Sequence, residues 1–266
     1  MGFWRSKPPA GVILNRGHPL SRALAFYAAL SEGSGAACDL VGGLVGSNSG
    51  VLWAGGPNGT VIQGVADSSL DFGNAGSLDF GIGAFAISAW VNTTAAARQT
   101  ICHKYSNPAG GVGFMFEMAS SGLLQFVTEH AADYTVLDSA GVINDGRWHH
   151  VVGSWTGTVM SMWVDGRAES TVPVQTGNAP PYDLSSSVSF QIVGAAGGFA
   201  ASFVGKVSSV AVFKRALQAS DVSTLYNDQF CLLATPSWRR VVGGYGLGGA
   251  FKPTRRLSLG RLAIGL

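Results

Sequence analysis

The sequence predicts an all-β chain folded as a two-sheet antiparallel sandwich, with an extended arm at each end. Three observations carry this. Helical periodicity is nearly absent, while short runs rich in Val, Ile, Phe and Trp alternate with Gly, Asn and Pro. Glycine is abundant (38 of 266 residues) and charged residues are sparse (12%), a profile of many turns between apolar strands. The stretch Arg147–Gly166, RWHHVVGSWTGTVMSMWVDG, reads as one β-hairpin leading into a further strand.

The elements follow in order. Residues 1–22 contain Pro8, Pro9, Gly11 and Pro19 and read as an extended lead-in. Ala23–Leu30 is an apolar first strand, too short to span a membrane. Ser31–Gly50 is a Gly- and Ser-rich loop. Short strands are expected near 51–53, 60–64 and 69–72, then over 84–92, 99–105, 112–118 and 122–128. In the hairpin, Arg147–Trp155 turns at Thr156-Gly157-Thr158 and returns over Val159–Val164. Asp165-Gly166 suits a type I′ turn, which needs φ > 0, so a third strand should follow near 167–174. Trp148, Trp155 and Trp163 on this meander require a large buried surface. Asn178–Pro181 is a loop, strands near 187–194 and 203–213 finish the sandwich, and Ser220–Asn227 is one short helix with Ser220 as N-cap. Alternation at Phe114, Phe116 and Met118, beside the nearly continuous apolar run Val207–Phe213, fits two sheets face to face with one face partly exposed.

The net charge of +2 hides a division. Residues 1–22 hold four basic residues and residues 231–266 hold six, with no acid in either; the body, 23–230, has fifteen acids against seven bases. The last segment is Gly-rich and then apolar, so it gains little from folding by itself and suits an arm laid on a neighbour. Its contact residues are expected to be Trp238, Arg239, Arg240, Lys252, Arg255, Arg256 and Arg261. No nucleic-acid motif accompanies these charges, so the acidic body of another copy is the better partner and a homo-oligomer is expected. Three unpaired cysteines (Cys38, Cys102, Cys231) and the lack of a signal or membrane-spanning segment suit a reducing cytoplasm as the place of synthesis. A short myristoylation-like start at Met1-Gly2 and sequons at Asn58 and Asn92 are read as chance matches and turn chemistry.

Trp148-His149-His150-Val151-Val152, then a turn and a strand ending in Val164-Asp165-Gly166, resembles the laminin G-like, concanavalin A-like jelly-roll family. Leu70-Asp71-Phe72 with Phe85–Val91 resembles its paired front strands, and Phe203–Leu225 its closing strand and final helical turn. The resemblance implies a jelly-roll sandwich over about residues 23–230. Many family members carry Ca²⁺ between an early loop and a late-strand aspartate; Asp39 stands at the early position. The late strand, however, reads Val207-Ser208-Ser209-Val210, with serines where paired aspartates are common. Carboxylates supply much of calcium affinity, so Asp39 is read first as a turn-forming residue, with calcium as the alternative, and no cofactor is otherwise implied.

Enzyme chemistry is mostly excluded. Glucanases on this fold place carboxylates two apart on one strand, and here no two acids have that spacing. Glu117 and Glu129 are left to meet across a hairpin, more simply as rim carboxylates. His149 and His150 are neighbours on a strand and face opposite ways. Sugar binding needs exposed aromatics; the candidates are Trp53, Tyr105, Tyr134 and Tyr182, each equally suited to anchor a loop. The lead-in Asn15–Leu20 and the arginine-rich end resemble laminin G-like proteins of tailed bacteriophages, which implies a non-enzymatic virion component assembled with other virion proteins through its arms. The alternative is a lectin-like module for cell-surface glycans.

Overall fold

The computed structural model describes residues 7, 11–106, 111–196 and 200–234. The strands are β1 (Ile13–Leu14), β2 (Leu24–Ala28), β3 (Ala37–Cys38), β4 (Val45–Ser49), β5 (Leu52–Gly56), β6 (Gly59–Gly64), β7 (Ser69–Asp71), β8 (Phe85–Asn92), β9 (Gln99–Ser106) and β10 (Val112–Met118). They continue as β11 (Leu123–His130), β12 (Asp133–Val142), β13 (His149–Trp155), β14 (Met160–Val164), β15 (Arg167–Ala168), β16 (Val174–Thr176), β17 (Gln191–Ile192), β18 (Ala201–Ser202), β19 (Gly205–Phe213) and β20 (Leu233–Ala234), with helix α1 (Ala219–Asn227) before the last.

Two sheets make the sandwich. The larger runs β16-β12-β11-β10-β9-β17-β7-β4-β3, with β18 also pairing β9. The smaller runs β15-β14-β13-β8-β19-β6-β5, with β2 sharing β19. Between them lies the core. Phe26, Phe85, Ile87, Val151, Trp155, Val210 and Val212 point in from one side, and Leu70, Cys102, Phe114, Phe116, Phe126 and Leu137 from the other. Its rings pack edge-on or stacked: Phe26 meets Phe72 at 4.8 Å and 84°, and Phe85 stacks on Phe80 at 4.7 Å and 2°.

The smaller sheet has a second apolar face. Tyr27, Ala86, Val152, Trp163, Ala211 and Phe213 line it, and Leu217, Val222 and Leu225 of the α1 region cover it, joined by Phe230, Leu232, Leu233, Leu14 and Leu20. Parts of the two expected arms pack with the body. Over 11–22 and 231–234 the chain belongs to the packed body: β1 pairs β20, Ile13 opposite Ala234 and Leu14 opposite Leu233. The reason is burial; each leucine taken from water stabilises by about 1.5–3 kcal/mol. The rest of the C-terminal arm, including Trp238, Arg239, Arg240, Lys252, Arg255, Arg256 and Arg261, lies outside the described residues.

The meander forms, with φ of 51° at Asp165 and 76° at Gly166 as the tight turn demands. Its third strand is only two residues long. The chain then leaves this sheet past Pro173, and Val174–Thr176 pairs with β12 of the other. The tryptophans serve both sides, Trp155 in the central core and Trp163 beneath the covering layer, while Trp148 is half-buried. The helix starts at Ala219, not after Ser220: the Asp221 carboxylate reaches back to the Gln218 amide at 3.0 Å, which moves the cap upstream. β12 has no counterpart among the expected strands.

Candidate functional site

The larger sheet's outer face carries the candidate site. Period-two alternation sends Phe126, Leu137 and their neighbours inward and leaves Gln125, Val127 and Glu129 of β11 and Tyr134, Val136 and Asp138 of β12 on the other side. Register sets them in cross-strand pairs: Gln125 with Asp138, Val127 with Val136, Glu129 with Tyr134. The same face extends across β10 and β9 through Met115, Glu117, His103 and Tyr105. The result is an apolar centre, where Tyr105, Met115, Val127, Val136 and Ala196 cluster, flanked by polar groups.

At one end Arg98 binds Glu117 at 2.5 Å through Nη2 and meets Gln125 at 3.4 Å, and Gln125 donates to Asp138 at 2.7 Å. Arg98 stays 37% exposed and Glu117 is fully buried. Burial raises the Glu117 pKa; Arg98 opposes that. At the other end the Tyr105 hydroxyl donates to Glu129 at 2.8 Å. Burial first, and then Glu129, push that phenol's pKa up. His103 lies beside Gln191 and Asp71, but burial outweighs both and pushes it down to about 4, so it is neutral at pH 7.

This face does not suit glycoside hydrolysis. Glu117 is opposite Gln125 and Glu129 opposite Gly113, four strand positions apart. That separates their strand positions by about 13 Å, whereas the paired carboxylates of glucanases on this fold sit two positions apart. On the smaller sheet, Ser88 and His150 share a 2.9 Å hydrogen bond beneath α1. Trp90 and Tyr226 flank His150 at 5.1 and 6.0 Å. Among the described residues no acid bonds to this imidazole: Asp165 accepts the backbone amide of His150 and the ring of His149. A serine nucleophile needs that third group and access to substrate.

Of the four aromatic candidates, the structure brings together two. Tyr105 and Tyr134 lie on one row of the sheet, on either side of Gly113 and Glu129. Tyr182 is a core residue, stacked on Trp155 at 6.3 Å. Trp53 sits on β5, where its Nε1 donates to the Gly35 carbonyl at 3.0 Å and anchors the loop. Arg98, Gln125 and Asp138 were not foreseen as a group.

Asp39 is buried, and its carboxylate accepts the backbone amides of Tyr27, Val41 and Gly42 at 2.7–2.9 Å. Among the described residues no group of three or more His, Cys, Asp or Glu side chains converges as a metal site. The carbonyls of Leu30, Thr60 and Ser208 do converge, on the Lys7 ammonium. A carboxylate already satisfied by amides and carbonyls already satisfied by an ammonium do not fit calcium.

Residues 64–223 match the profile of the concanavalin A-like lectin/glucanases superfamily. No curated protein matches the chain by sequence. Among solved structures, the binding domain of Paraclostridial Mosquitocidal Protein 1 is similar over 79% of this chain, with a TM-score of 0.62 and 14% identity. The chain spans about half of that domain, 53%. The binding domain of Botulinum Neurotoxin DC, solved in complex with SialylT, has a TM-score of 0.58 and 11% identity over 78% of this chain and 52% of its own. Domain 4 of AbnA, an extracellular arabinanase from Geobacillus stearothermophilus solved with arabinotriose, is covered over 98% of its length and 77% of this chain, at TM-score 0.56 and 15% identity. At these identities the likeness is one of fold. Among the described residues no helix is long and apolar enough to cross a membrane.

Proposed function

We propose that this chain, which belongs to the concanavalin A-like lectin/glucanases superfamily, is a non-catalytic glycan-binding module reading sugars on the outer face of its larger sheet. The observation that carries this is the strip of three cross-strand pairs on β11 and β12. Gln125 and Asp138 form one polar end, Val127 and Val136 an apolar middle, and Glu129 and Tyr134 the other end. A pyranose presents an apolar ring face edged by hydroxyls, which such a strip complements: carboxylates and amides accept and donate while the half-buried Val136 and Tyr134, over the buried Val127, meet the ring. The superfamily and the sugar complexes of the two similar domains support this reading more than an assembly role in a virion. The assembly residues of the C-terminal arm are outside the described chain.

The test is a glycan array probed with the full chain. Binding is expected, and Glu129→Gln or Tyr134→Ala should weaken it by more than about tenfold, the loss expected for one charged hydrogen bond. A blank array, or a signal that survives both substitutions in a folded protein, overturns the reading.

A further inference from the structure

Lys7 is a buried cation far in sequence from everything it touches. Its Nζ donates to the carbonyl oxygens of Leu30 at 2.8 Å, Thr60 at 2.7 Å and Ser208 at 2.5 Å. These come from just past β2, from β6 and from β19, so one ammonium ties three segments at the place where β6 and β2 succeed one another along β19. Its backbone amide adds a further bond to the Asn58 carbonyl. The Glu32 carboxylate lies near enough to favour the charge, although burial dominates and pulls the pKa down to about 7. Three acceptors around one nitrogen require three N–H donors. Only the ammonium has three; the neutral amine would turn a lone pair toward one carbonyl.

Oxygen atoms converging from separate segments, with a carboxylate nearby, make a cage for a hard cation. Ser208 is one of the two serines on the late strand where paired aspartates would favour a divalent ion. We propose that the Leu30–Thr60–Ser208 carbonyl cage is a cation site filled by the chain's own Lys7, a tethered ammonium that closes the junction of β6 and β2 without metal. The exchange is consistent in charge. A single positive charge facing three neutral carbonyls and Glu32 needs no further acid, whereas a divalent ion would be left undercompensated. The inference is independent of glycan binding, since the cage and the proposed sugar strip are on different sheets.

The experiment uses the full chain in three parts. First, brief amine acetylation followed by mass spectrometry compares Lys7 with the exposed Lys214. Lys7 should react at least tenfold more slowly; equal rates overturn the proposal. Second, the melting temperature of the unaltered protein should be the same in EDTA and in calcium chloride, and a calcium-dependent rise overturns it. Third, Lys7→Ala should melt lower than the parent and recover part of the loss in methylammonium chloride, which has the three N–H donors of the missing side chain, but not in tetramethylammonium chloride of equal ionic strength, which has none. A variant that melts like the parent, or one whose loss methylammonium does not reduce, overturns it. If Lys7→Ala does not fold, the first two measurements still decide.

Discussion

The two outer faces of the sandwich begin from the same strand chemistry and end differently. On the smaller sheet, Tyr27, Val152, Trp163 and Phe213 alternate outward and are covered by α1 and the β1–β20 pair. On the larger sheet the same alternation brings out Gln125, Glu129, Tyr134 and Asp138, half-buried rather than covered by a helix. An apolar face must be covered by the chain itself or by a partner; a mixed face of acids, amides and tyrosine can stay wet. The choice of residue at every second strand position thus lets the chain cover one outer face itself and leaves the other, where the proposed glycan strip lies, half-open.

The comparison breaks first at Phe213. Phe213→Ala should cost about 3–5 kcal/mol in urea unfolding, the usual loss for a large buried ring. A cost near that of a surface change would mean that the covering layer is loosely held. Each face also buries a histidine with a pKa lowered to about 4, His150 on the covered side and His103 on the other. Both imidazoles take up a proton more readily in the unfolded chain, near 6.5, than in the fold. Stability should therefore be full above pH 6.5 and decline as the pH falls toward 4, by up to about 3 kcal/mol per histidine. Glu117, its pKa raised by burial, acts in the opposite sense, so the measurement compares variants that share it. His150→Phe and His103→Gln should each flatten the decline. If only His150→Phe does, the larger sheet's face admits more water than its burial suggests.

Smaller effects follow. Asp221→Ala removes the helix cap and its 2.7 Å ion pair with Arg215, and should cost about 1 kcal/mol. Tyr134→Ala should change stability by no more than about 0.5 kcal/mol while weakening glycan binding by more than about tenfold. A large stability loss at Tyr134 would move that residue from recognition to packing and end the contrast.

The parts of the fold that the sequence shows well are those where local chemistry decides. Asp165-Gly166 announces its turn, and Phe114, Phe116 and Phe126 announce an inward face. β12 shows poorly because the turn before it runs through Ala131 at φ 56°, with neither Gly nor Asn to mark the reversal. Yet Tyr134, Val136 and Asp138 alternate with Thr135 and Leu137, a period-two signal that was available. The candidate strip was less legible still. It depends on pairing β11 with β12, and a register shift between Leu123 and Gln125 decides which residue meets Asp138. Lys7 offers no local signal, since its acceptors are backbone carbonyls, which every residue possesses.

Antiparallel pairing of β1 with β20 puts the incoming and outgoing segments of the chain shoulder to shoulder, paired Cα atoms about 5 Å apart. A unit whose two connections lie that close is a cassette. It can be spliced into a surface loop of a host protein without prising the host open, and its ends can be joined and new ones cut at the Thr156–Thr158 turn with the inter-sheet core unchanged.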